Sequence, residues 1–468
     1  MRNAHVKYMC YPSVVCVGNE TEVYIKPRDV SLIFREEWEY ELAVVGIMED
    51  QLDYHAHIPL DHEFAIKDGC LVFRHTFDKE QLYSIRFCKK GEKEIKIDLY
   101  AVKKDLYDLR PLKGDLHTHT YYSDGSDGIS MTPADYREEG FDFFALTDHN
   151  RMYTSVLARE LYDGVKLGMH IMKGEEVHTP GSLLHIVHAG GNESVCDKYI
   201  SDMEKYKSEV AEIAKELTDI DDAYRERVAM AKWACNKIHE AGGLAIFPHP
   251  YWVPNKNNLS EEFIDILYTP ELFDAFELVG GVNYANLNKQ LALWQEKATE
   301  GKYLPPVGSS DSHNHDFAVD GFGRNFTIVF AKENTTEAIL DAVRKGYTLA
   351  AEVPKGADEE VRFYGSLRLV TFAHFLYKNY FNETWRLAVG EGILMRRYAE
   401  GEDVGDTLSA LADTVENFYK KFYGIAKPEG IPEKTADFVD KTREIQLKVG
   451  PKTKGSSLYV YGYNECRQ

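Results

Sequence analysis

Apolar and polar positions alternate with a period of two over residues 21–26, 40–46, 70–74, 82–87 and 95–100, with turn residues such as Asp68-Gly69 and Gly91 between them. Rich in β-branched and aromatic side chains, these runs predict half-buried strands, and several at this spacing predict a small β-sandwich over residues 1–108. From about residue 109 the pattern changes. Short apolar runs, each closed by a polar cluster, now alternate with segments of helical periodicity. Thr132 as N-cap and Pro133 at the first helical position start one helix. Others are expected over about 195–218, 222–241 and 284–300, and a last capped helix runs from Asn334 to Gly346. Counting from Asp115, and taking 141–146, 169–174, 183–188, 243–247, 275–281 and 304–310, there are seven strand candidates. Alternation of this kind predicts an α/β unit over 109–355 with a parallel sheet, open or closed into a barrel. Residues 356–468 read as helical, and their Tyr and Phe stripes at helical spacing fit a core or a homo-oligomer interface.

Titratable residues sit on or just after the apolar run at six of these strands, where barrel folds build their sites. His117 and His119 are two apart, so on an extended strand both imidazoles face the same side and can bind one ion. Asp311 and His313 repeat that spacing. With Asp124, His149, Glu176, His185 and His249 they make nine candidate ligands. Imidazoles and carboxylates without thiolates suit Zn, Mn or Fe and argue against a structural zinc knuckle. Nine ligands exceed one ion, so two or three divalent ions with a bridging carboxylate are expected. Asp115 and Asp148 would point away from their neighbouring ligands and are expected to support the ligating imidazoles. His55, His57 and His62 have no carboxylate or thiolate spaced to join them and read as surface or loop histidines.

A formal charge of -21 excludes a broad nucleic-acid or anionic-membrane surface while leaving room for a small metal-loaded pocket. The seven cysteines are scattered, odd in number and without Cys-x-x-Cys spacing, which fits reduced thiols in a cytoplasmic protein. The N-terminus has no continuous apolar h-region, and no window of about eighteen apolar residues predicts a membrane span.

Asp115-Leu-His117-Thr-His119 with Ser123-Asp124-Gly, Thr147-Asp-His149-Asn, Gly174-Glu-Glu176, Pro248-His249-Pro and Gly308-Ser-Ser-Asp311-Ser-His313 together resemble the polymerase and histidinol phosphatase (PHP) superfamily of metal-dependent hydrolases. The resemblance covers about residues 112–350 and implies a distorted (β/α)7 barrel with a trinuclear site at the C-terminal strand ends. Carried over by motif, His117, His119, Glu176 and Asp311 would hold the first ion, Glu176, His185 and His249 the second, and Asp124, His149 and His313 the third. Glu175 is an alternative to Glu176 and His188 to His185; the Gly-x-Glu pattern and the closing Ala-Gly turn favour the latter of each pair.

The implied activity is a phosphoesterase acting on a small, anionic, phosphorylated molecule through a metal-bridging hydroxide. Two other readings stand beside it. One is a carbamate, amide or carboxylic-ester hydrolase on the same site, and the other a non-catalytic binding or assembly protein. His178 is a candidate general acid, and Arg324 a candidate clamp for phosphate or carboxylate, with a surface-loop arginine as its alternative.

Overall fold

The computed structural model describes residues 7–49, 58–253, 259–281, 283–315, 321–356 and 360–449. His55 and His57 lie outside the described residues. Packing divides the described residues into two compact units, residues 102–422, and residues 7–101 with 423–449.

In the smaller unit the alternating runs form strands β1 (Tyr8–Tyr11), β2 (Val14–Cys16), β3 (Glu20–Pro27), β4 (Tyr40–Gly46), β5 (Ala65–Lys67), β6 (Cys70–Thr76), β7 (Gln81–Lys89) and β8 (Ile95–Val102). They make two antiparallel four-stranded sheets, ordered β1-β3-β6-β5 and β2-β8-β7-β4. Val23, Ile25 and Phe73 from one sheet share a buried core with Leu42, Ile85 and Leu99 from the other, so the sheets face one another as a sandwich. Asp68 (φ 49°) and Gly69 (φ 75°) turn the β5–β6 hairpin; this left-handed backbone suits a two-residue hairpin turn. His62 lies 3.1 Å from His75 and meets the Phe73 ring edge-on.

The larger unit holds β9 (Arg110–Asp115), β10 (Phe143–Ala145), β11 (His170–Met172), β12 (Gly174–His178), β13 (His185–Ala189), β14 (Leu244–Phe247), β15 (Ala275–Val279), β16 (Pro306–Gly308), β17 (Asn325–Ala331), β18 (Thr348–Glu352) and β19 (Arg362–Tyr364). It is a mixed α/β fold with two sheets, ordered β11-β10-β9-β17-β18-β19 and β12-β13-β14-β15-β16. The expected parallel sheet is therefore corrected to a mixed one, and no closed (β/α)7 ladder forms among the described residues. Two local causes are visible. The apolar run at 169–174 is split at Lys173 into β11 and β12, which belong to different sheets. β13 follows β12 after only six residues, 179–184, too short for a parallel crossover, so it runs antiparallel to both its neighbours.

Even so, one buried cluster draws Leu112, Phe143, Met172, Val187, Ile246, Ala275, Val307 and Val329 from strands of both sheets. Gly114 permits the β9–β10 contact, because a Cβ there would stand 2.1 Å from the Phe143 ring. Beyond the strands, isolated parallel bridges Thr118↔Ser312 and His149↔Glu176 join the two sheets near the candidate ligands.

The helical C-terminal region begins with Leu367–Leu376, Asn382–Ala399 and Gly405–Phe422. Its aromatic stripe is largely core: Phe372 and Phe422 are buried, and Tyr380 stacks on Phe418. Asn382–Ala399 packs on Thr132–Glu138, where Gly392 allows backbone approach and buried Glu391 accepts from buried Arg137 at 2.8 Å. No helix among the described residues is long and apolar enough to cross a membrane.

Removing one partner of a buried ion pair strands the other charge. Glu391→Ala is therefore expected to lower unfolding free energy by about 3–5 kcal/mol, read from urea denaturation of the full chain.

Candidate metal centre

Strand alternation decides which titratable groups share a face. In the β12–β13 pair, Glu175 is registered with His188, and His178 with His185. Glu175 and His188 bond to one another at 3.1 Å, and Glu175 also accepts from the Val195 N–H and the Ser194 hydroxyl at the start of helix Val195–Ser201. Glu176 and His178 therefore face the other side with His185, whose Nδ1 lies 2.9 Å from Glu176 Oε1. Glu175 and His188 thus pair away from the ligand cluster.

The fold gathers all nine candidate ligands. Around Glu176 Oε2 lie His117 Nε2 and His119 Nε2, both at 3.4 Å, and His149 Nδ1 at 2.7 Å. Asp311 Oδ1 stands 3.3 Å from His117 Nε2 and 3.1 Å from His119 Nε2, and those two nitrogens are 3.1 Å apart. A second group joins Glu176 Oε1 to His185 and to His249 Nε2, the latter at 3.3 Å. A third places Asp124 Oδ2 at 3.2 Å from His149 Nε2 and 3.3 Å from His313 Nε2. His178 reaches the same centre, with Nε2 3.6 Å from Glu176 Oε2 and its ring stacked 3.7 Å from that of His185.

These residues fit divalent ions. Glu176 Oε2 is buried and, among the described residues, makes no directed hydrogen bond despite the nitrogens around it; His149 Nδ1 and His185 Nδ1 are in the same condition. Such atoms are costly to bury unless another partner satisfies them. The spacings of His117 and His119 to one another, to Glu176 and to Asp311, 3.1 to 3.4 Å, are close to the ligand–ligand edge of about 3.3 Å expected for an ion with bonds of about 2.0–2.1 Å.

Backbone geometry supports the same centre. His249 (φ 24°) and Asp311 (φ 50°) have positive φ, which is uncommon for residues other than glycine. Gly281 gives Asp311 room, since a Cβ there would lie 2.6 Å from Asp311 Oδ2.

The supporting carboxylates differ from expectation. Asp115 accepts from the backbone N–H groups of His117 and Ser310 and from the Tyr136 hydroxyl, all at 3.1 Å. Asp148 accepts from the Thr120 backbone and hydroxyl and from the Ser123 hydroxyl, each at 2.7 Å. Both therefore hold the ligand loop, not the imidazoles. The imidazole support falls to Glu277 on β15, a buried carboxylate 2.9 Å from His117 Nδ1. Spacing did not single it out. Its one signal was a lone acid inside the apolar run Ala275-Phe-Glu-Leu-Val.

Charge is distributed unevenly over the centre. Burial opposes protonation of His149, but its bond to Asp124 and the nearby charge of Glu176 push it up to about 10. His313, opposed by burial in the same way, is raised to about 9 by its bond to Asp124. Asp124 is held well below the usual carboxylate range despite burial by its bonds with His149 and His313. His185 is lowered to about 4, chiefly by burial.

No known family profile matches the chain. It is 28% identical over 199 residues to an uncharacterised protein of Methanocaldococcus jannaschii, a match covering 40% of this chain and 96% of that protein. Among solved structures, it is similar to a two-domain protein of Bacteroides vulgatus containing a predicted PHP-like metal-dependent phosphoesterase (TM-score 0.37, 22% identity), covering 52% of this chain and 65% of that one. A candidate metal-dependent phosphoesterase of Bifidobacterium adolescentis has a TM-score of 0.31 and 16% identity, covering 43% of this chain and 87% of its own. An amidohydrolase of Chromobacterium violaceum has a TM-score of 0.30 and 17% identity, with the same coverage.

Glu277→Leu is expected to weaken metal affinity about 10- to 100-fold by removing the acceptor that orients His117, as measured by titrating the metal-stripped chain. An ion entering the Asp124–His149–His313 group must displace protons from imidazoles raised to about 10 and about 9. At pH 7 about two protons should leave per ion bound there, and affinity should fall as pH is lowered, both readable by calorimetry in buffers of different ionisation enthalpy.

Proposed function

We propose that this chain is a metal-dependent phosphoesterase acting on a small phosphorylated molecule. The observation that carries the reading is a cleft of about 490 Å³ that includes Asp311 and His313 in its wall together with two cations, Arg324 and Lys355. On a chain of net charge -21, two cations in a cleft that abuts the ligand cluster favour an anionic group. Trp252, Tyr284, Leu287 and Val353 add apolar wall for the rest of the substrate.

In this reading His117, His119, Glu176 and Asp311 hold one ion, Glu176 with His185 and His249 a second, and Asp124, His149 and His313 a third. Bound divalent ions supply water of lowered pKa and stabilise the charge that develops on the attacked group. Glu277 keeps the His117 imidazole in one tautomer by accepting a hydrogen bond from Nδ1–H, which leaves Nε2 as a ligand. Arg324 and Lys355 bind and orient the phosphate. His178, partly exposed and stacked on His185, would serve as the general acid for the departing oxygen. The seven-stranded barrel belongs to the same proposal. One core shared by both sheets and the two bridges at the strand ends support a barrel distorted enough to break its ladder.

Metal-reconstituted protein should hydrolyse nitrophenyl phosphate, lose the activity with a chelator, and prefer phosphoester to nitrophenyl acetate. Arg324→Ala should lower kcat/KM for the phosphoester about 10- to 100-fold, the worth of one or two charge-assisted hydrogen bonds. A preference for the carboxylic ester, untouched by Arg324→Ala, would move the assignment to the amide and ester class. Absence of turnover with metal bound would favour the binding protein.

A further inference from the structure

We infer that His315 and Arg396 are positioning residues for the Asp124–His149–His313 metal group, through a relay that ends in the C-terminal helical region. This inference rests on the metal-centre reading above.

His313 sits on a short segment after β16 whose backbone is held from two sides. The Ser126 N–H donates to the His313 carbonyl at 2.8 Å, which ties this segment to the loop carrying Asp124. Two residues on, the His315 N–H donates to Asp127 Oδ2 at 2.8 Å, closing a second tie to the same loop. The two loops that supply Asp124 and His313 are thus fixed to one another before any ion is considered.

What fixes them to the body of the unit is the His315 ring. Its side chain is 5% exposed, packed between Tyr136 and Phe322, with Nδ1 2.8 Å from Asp135 Oδ2. The other oxygen of Asp135 accepts from Arg396 Nη2 at 2.7 Å, and the same nitrogen bonds Glu138 Oε1 at 2.7 Å. Arg396 lies on Asn382–Ala399, and Asp135 and Glu138 on Thr132–Glu138. One guanidinium therefore holds the carboxylate that holds the imidazole that holds the His313 segment. In the other two groups, His117 is steadied by Glu277, and Glu176 and His185 stand on the paired strands β12 and β13. The third group has loop ligands, Asp124 and His313, 52% and 37% exposed at the side chain, and depends most on an external anchor.

The test is Mn2+ titration of the full, EDTA-stripped chain, with free Mn2+ followed by electron paramagnetic resonance. His315→Phe keeps the ring packing and removes the bond to Asp135; Arg396→Met keeps the stem and removes the charge. Both are expected to raise the dissociation constant of the weakest-held ion about 10- to 100-fold while the tighter ions and the unfolding midpoint stay in place, with Arg396→Lys recovering most of the loss. In an Asp124→Asn background, His315→Phe should add nothing. Unchanged affinities in both variants, or a parallel loss of every ion together with the unfolding midpoint, would overturn the inference and leave the metal centre standing. A wild-type chain that takes up no Mn2+ would overturn both.

Discussion

A single buried carboxylate organises the larger unit. Glu176 has imidazole nitrogens of His117, His119, His149 and His178 around one oxygen and of His185 and His249 around the other. Its ionised form is strongly favoured although burial works against it, because His185 and His117 lie so close. One negative charge cannot satisfy so many lone pairs and protons at once. Divalent ions resolve that conflict, since each turns surrounding lone pairs from competitors into ligands. The glycines and left-handed residues near the site meet the same demand, bringing side chains from separate strands to within about 3.3 Å of each other.

Much of this could be read from the chain because period-two alternation is a strict rule. It puts Glu176 and His178 on one face and Glu175 on the other, and the structure shows Glu175 engaged with His188 and a helix start. His117, His119, Asp311 and His313 carry the same i, i+2 spacing but stand just past the ends of β9 and β16, and the fold gathers them with the other five residues singled out by motif. Strands β3, β4, β6, β7 and β8 of the sandwich were legible for the same reason, whereas the short β1, β2 and β5 were not.

Long-range pairing was not legible. Residues 325–331 and 348–352 form β17 and β18, although only the helix between them stands out by its cap; pairing with β9 reveals the strand character of the first. The split at Lys173 depends on which sheet offers a partner on either side, and no local pattern carries that choice. Glu277 escaped notice because a lone acid in an apolar strand gains meaning only when His117, far away in sequence, arrives beside it. The aromatic stripes of the C-terminal helices likewise announced burial without showing that Asn382–Ala399 packs on Thr132–Glu138, where Arg396 can reach Asp135.

The bridges His149↔Glu176 and Thr118↔Ser312 have a thermodynamic consequence. Ligands stand at these seams and come from strand ends scattered from His117 to His313, so no short piece of unfolded chain can offer the same set. An ion bound there therefore acts by mass action on the native state alone, adding RT ln(1 + [M]/Kd), about 4 kcal/mol at a free metal concentration a thousandfold above Kd. Occupancy of these groups by metal would then count toward the folding stability of the chain as well as toward its chemistry.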